Sequence, residues 1–140
     1  MAIELGTKIV KDTETYNDYA IGITLPIQNG NTFFNQSFQT KDQVKSNIKN
    51  LLLTKKGERV LQPEFGSGLQ ELLFDFNDTN LETKIEETIN QALEMWLPYV
   101  TTNSIDIEQS NELKDRNRVN VSITFAIAGN PELNEVTFTV

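Results

Sequence analysis

The sequence predicts an α+β domain in which two helices pack on a mostly antiparallel sheet, and three observations carry that reading. Two stretches repeat apolar residues at nearly four-residue spacing, the helical period. Other stretches alternate apolar and polar residues, the strand period. The runs follow one another in the order strand, strand, helix, connector, helix, strand, strand, strand, with turn-forming residues between them.

The first strand is "YAIGITLPI", with Tyr19, Ile21, Ile23, Leu25 and Ile27 on one face, and Pro26 makes it an edge strand or a strand end. The pair Asn29-Gly30 favours a tight turn with positive φ, so "TFFNQSF" is expected to run back as the partner of a hairpin. Thr40 with Gln43 fits a capping box, after which Val44, Ile48, Leu51 and Leu52 form one stripe of a helix expected to end at Lys56, with Gly57 taking the left-handed position beyond it. "ERVLQPEF" reads as an extended segment stiffened by Pro63, followed by a turn at Gly66 to Gly68 and a short apolar run. Thr79 with Glu82 opens the second helix, along which Leu81, Ile85, Ile89, Ala92, Leu93 and Trp96 share a face until Pro98 stops it. Strands then follow at "SIDIE", "RVNVSITFAI" and "EVTFTV", the first two separated by the polar loop "QSNELKDRNR". The first and last strands leave sheet edges that another chain could extend.

A chain of 140 residues suits a single domain, residues 1–140, with one core. It has no run near the roughly 18 apolar residues that a membrane span needs, and its N-terminal stretch does not read as a secretory signal, so the expected setting is a cytoplasm. Cysteine and histidine are both absent, which removes disulfides, thiolate nucleophiles, the usual zinc ligand and every Ser-His or Cys-His arrangement. A net charge of −8 argues against nucleic acid as a partner. The charge is uneven: Lys41, Lys45, Lys49, Lys55, Lys56 and Arg59 crowd one segment, whereas seven acids between Glu71 and Glu94 face only Lys84. Such asymmetry can steer assembly as well as solvate two helices.

Acid–base chemistry would have to come from carboxylates such as Glu58, Glu64 and Glu71, as in a glycoside hydrolase with two carboxyl groups flanking the scissile bond. With twenty acids in the chain and no supporting motif, Glu64 can equally be a charge bonded to Arg59. Asp75, Asn77, Thr79 and Glu86 fall at calcium-loop spacing, but Asn80 stands where that loop needs glycine, so no metal site is expected. "GSG" lacks the lysine of a phosphate loop, and Phe65, Phe74 and Phe76 are expected to pack the connector onto the helices. No cofactor is implied. The connector reads as a rigid elbow suited to docking.

At Leu51, Leu52, Thr54, Lys56, Gly57, Arg59, Pro63, Glu64, Phe65, Gly66, Leu69, Leu73 and Phe74 the chain resembles the gene-25-like, or "lysozyme-like", wedge proteins of T4-type contractile phage tails. That group is shared with type VI secretion baseplates. The resemblance implies a structural, non-enzymatic virion component of the tail baseplate, assembled in the host cytoplasm. Its expected partners are other wedge proteins, the tail sheath, for which it acts as initiator by strand exchange, and the tail tube or hub. Lys56, Arg59, Pro63, Glu64 and Phe65 are then the expected elbow contacts, and Ile21, Ile23, Val136, Phe138 and Val140 mark the strands offered to the sheath. Many relatives carry Glu-Pro-Arg after the second helix, where this chain has Leu97, Pro98 and Tyr99. Pro98 alone keeps that contact motif. The runner-up is a peptidoglycan-degrading hydrolase of the tail.

Overall fold

A computed structural model of the chain describes residues 19–25, 35–73, 80–109 and 118–140. Strands β1 (Gly22–Ile23) and β2 (Gln36–Ser37) pair antiparallel, as the expected hairpin requires, and lead into helix α1 (Thr40–Leu53). The elbow follows, then a four-residue helix α2 (Leu69–Leu72) and the long helix α3 (Leu81–Trp96). Strands β3 (Val100–Glu108), β4 (Asn120–Ile127) and β5 (Asn130–Thr139) form an antiparallel sheet in the order β3-β4-β5.

Register explains the core. Ile105 pairs with Ile123, which pairs with Val136, and Ile107, Val121 and Phe138 line up in the same way, so one face of the sheet is apolar across all three strands. Ile48, Leu51 and Leu52 of α1, Leu69 of α2, and Ile85, Ile89 and Leu93 of α3 are buried in the same cluster as Val121, Ile123 and Phe125. Burying each such side chain contributes about 1.5–3 kcal/mol, and the stripes read from the sequence are the ones buried. The opposite sheet face is polar: Ser122 hydrogen-bonds Thr137 at 3.1 Å, and the Thr139 hydroxyl donates to Asn120 at 2.7 Å.

Several local expectations differ. Thr40 is the first helical residue of α1 rather than its cap; Gln39 holds the cap position and makes no side-chain cap bond. The Gln43 amide is engaged elsewhere, accepting from the buried Ser37 hydroxyl at 2.6 Å and donating to Asn47 at 2.8 Å. A buried hydroxyl needs a partner, and here it outcompetes the helix end. Gly22 lies so close to this pinned amide that an added Cβ would stand 2.0 Å from Gln43 Oε1.

Helix α1 ends at Leu53, not Lys56, because Thr54 turns extended (φ −84°, ψ 130°) and its carbonyl accepts the Ser67 N–H at 3.0 Å. Gly57 does have positive φ, +86°, but in the turn beyond. The connector's apolar run forms α2, so among the described residues three helices stand where two were expected. The first strand is shorter than its alternation predicts, and Tyr19 and Ile23 of its apolar face are exposed. Pro26, Ile27, the Asn29-Gly30 turn, Phe74, Phe76, Thr79 and residues 110–117 of the long loop lie outside the described residues.

Candidate functional site

The elbow, residues 54–67, is a closed loop. Its ends meet where Lys55 and Ser67 bridge in parallel and the Ser67 hydroxyl donates to Leu52 O at 2.6 Å. Inside it, Gly57 N–H donates to Pro63 O at 2.7 Å, Phe65 N–H to Gln62 O at 3.0 Å, and Lys55 N–H to the Glu58 carboxylate at 3.2 Å. Surface loops with close ends and their own internal packing hold a shape without help from outside. Gly66 makes the closure possible, since at φ +123° an added Cβ would stand 2.5 Å from Thr54 O.

An aromatic stack fastens the loop to α3. The Arg59 guanidinium carbon lies 3.7 Å from the Phe65 ring centroid, and that ring meets Trp96 edge-on, centroids 5.1 Å apart at 67°. Of the expected elbow contacts, Lys56, Pro63 and Glu64 are exposed, whereas Arg59 and Phe65 are half-buried in the stack. Pro98 is exposed just beyond Trp96, so the stack holds the end of α3, two residues before it, against the elbow. Sequence reasoning missed Val60 and Leu61, which are each 94 % exposed near the middle of the loop. The available signal was an apolar pair outside both helical stripes, between Gly57 and Pro63.

Among the described residues β5 pairs only with β4, leaving one of its edges open. Val119 and Val140 exchange both backbone hydrogen bonds, at 3.1 and 3.0 Å. In an antiparallel ladder hydrogen-bonded and non-hydrogen-bonded pairs alternate, so Val136 and Phe138 also direct their N–H and C=O groups to β4, and Glu135, Thr137 and Thr139 direct theirs outward. Val136 and Phe138 are buried and Val140 is partly buried against the core. Ile21 is half-buried and donates to Ser37 O at 2.9 Å, while Ile23 is exposed. A groove of about 790 Å³ runs beside this edge, lined among others by Leu25, Lys49, Leu53, Arg59, Phe138 and Thr139.

Glu58, Glu64 and Glu71 are all exposed. Among the described residues no cluster of three or more acidic side chains is placed to hold a metal ion, and no helix is long and apolar enough to cross a membrane.

A braced loop with an aliphatic apex and a strand edge with outward amides are the parts of an assembly module, a small domain whose surfaces suit gripping other proteins. The chain belongs to the baseplate wedge protein gp25 family, whose model matches residues 39–132. It is a structural baseplate protein by that membership. Several solved structures share the fold. A candidate tail lysozyme from Geobacter sulfurreducens aligns with a TM-score of 0.61 at 23 % identity, over 70 % of this chain and 86 % of that one. A chain of the anti-feeding prophage baseplate aligns at 0.55 and 14 % identity over 84 % and 81 %, and a chain of the type VI secretion baseplate complex at 0.53 and 16 % over 70 % and 89 %. No curated protein matches the chain at a significant level.

Proposed function

We propose that the chain is a non-catalytic wedge subunit of a contractile tail, which docks to neighbouring wedge proteins through the elbow and starts the sheath by accepting a strand on β5. The observation that carries this reading is the outward row of backbone groups on Glu135, Thr137 and Thr139 beside an open groove. A strand laid there would gain main-chain hydrogen bonds, and its alternating side chains would set the register. Lys56 and Glu64 supply exposed charges for wedge contacts, and Pro98, in the motif position that relatives fill with Glu-Pro-Arg, supplies a contact toward the inner baseplate, tube or hub. Assembly takes place in the host cytoplasm.

The test is electron microscopy of tails assembled with Thr137→Pro, which removes one outward N–H from the edge, scored separately for baseplates, tubes and sheaths. Baseplates and tubes without attached sheath are the expected result. Fully sheathed tails would remove β5 as the template. The resemblance to a candidate tail lysozyme keeps one competitor in view, and peptidoglycan turnover that disappears in folded Glu64→Gln or Glu71→Gln protein would replace the structural reading with a hydrolase.

A further inference from the structure

Val60 and Leu61 are adjacent aliphatic residues, each 94 % exposed, on a loop closed by the Lys55–Ser67 bridge and the Gly57 to Pro63 hydrogen bond. Neither side chain belongs to the core cluster among the described residues. Surface aliphatics scattered singly are ordinary, but a pair on a rigid, protruding loop loses little conformational entropy on binding and so makes an effective anchor. We propose that Val60 and Leu61 form a knob that seats in a concave apolar socket with an acidic rim on a neighbouring baseplate wedge subunit. This rests on the docking reading above and deepens it, because it assigns the affinity to two residues that carry no charge.

Shape and charge select the partner. A protruding pair is covered only by a hollow, so the socket is concave. Exposed Lys55 and Lys56 stand near the base of the loop that bears the knob, and Lys45 and Lys49, four residues apart, share one side of α1 as it runs into the elbow. Against them on the loop stand Glu58, whose carboxylate faces Lys55 N–H, and Glu64. The surface is therefore locally cationic on a chain of net charge −8, and an acidic rim complements it. A second copy fits poorly. Its groove beside β5 carries Lys49 and Arg59 against Glu58 alone, a rim of net positive charge like the knob's own, and the hollow that holds Glu86 is lined by the polar Asn90, Thr102, Asn103 and Ser104 with Ile105 rather than by an apolar wall.

The experiment measures binding of the purified chain to wedge complex reconstituted from the co-expressed wedge subunits of the same tail. Val60→Ser/Leu61→Ser is expected to bind about 100-fold more weakly or worse, since two aliphatic burials are lost, with an unchanged circular dichroism spectrum. Val60→Met/Leu61→Met should stay within about tenfold of wild type, because methionine fills an apolar socket adaptably. Lys55→Glu/Lys56→Glu should chiefly slow association and alter its salt dependence. If wild type binds and the serine variant binds equally well, the knob is not the anchor. If wild type itself does not bind, the docking reading fails and takes the knob with it. Self-association in sedimentation that is abolished by the serine pair would assign the knob to a second copy and overturn the proposed partner.

Discussion

The Arg59 guanidinium lies over the Phe65 ring, 3.7 Å from its centroid. Because the same ring touches Trp96 at the end of α3, one cation and two aromatic rings tie the elbow to a residue more than thirty positions away in sequence. Stacks of this kind contribute about 0.5–2 kcal/mol, more when shielded from water. Arg59→Ala is therefore expected to lower stability by about 1 kcal/mol, and Arg59→Lys to recover only part of it, because an ammonium lacks the planar face that stacks. Denaturant unfolding of Arg59→Ala, Phe65→Leu and the double variant isolates the pair. A coupling energy indistinguishable from zero would make the stack incidental.

Gly66 and Gly68 differ by two positions and should differ sharply in tolerance. At Gly66 both the positive φ and the 2.5 Å approach to Thr54 O oppose a side chain, whereas nothing lies within 4 Å of a Cβ at Gly68. Gly66→Ala is expected to cost about 1–3 kcal/mol or more, and Gly68→Ala to stay within about 0.5 kcal/mol. Thermal unfolding of the two variants side by side checks this; similar losses would show that the elbow relaxes around the new methyl.

Proline substitutions read the parity of β5. Thr137 directs its N–H outward and Phe138 directs its N–H to Val121 on β4. Thr137→Pro should leave a folded protein, as prolines on exposed edges do. Phe138→Pro should lose a ladder bond and core packing together, costing about 3 kcal/mol or more. Circular dichroism melts decide it, and equal damage from both would mean that the ladder runs in the other phase. Substitution is a better probe here than deleting Glu135 to Val140, which would also strip Val136 and Phe138 from the core.

Phe125 is fully buried at the centre of β4. Phe125→Ala should cost about 3–5 kcal/mol, a large share of the roughly 5–15 kcal/mol that holds a typical domain. Val60→Ala, at an exposed site, should stay within about 0.5 kcal/mol. Urea midpoints of the two variants give the comparison, and a small shift for Phe125→Ala would place it outside the cooperative core.

The periodic parts of this molecule were written in its sequence. The stripes of α1 and α3 and the alternation of β4 and β5 are local patterns, legible because burying one face dictates which residues recur and at what spacing. The thirty-residue block around Arg59 and Phe65 was legible too, as a resemblance, and the match of the family model to residues 39–132 agrees with it. What only the tertiary structure decided depends on partners far apart in the chain. Ser37 took Gln43 from its cap, Thr54 left the helix to meet Ser67, and Val119 met Val140, which selects Thr137 rather than Phe138 as an outward-facing residue. Val60 and Leu61 read as ordinary apolar residues until the loop that bears them closed, because exposure belongs to the packed chain and not to any window of its sequence.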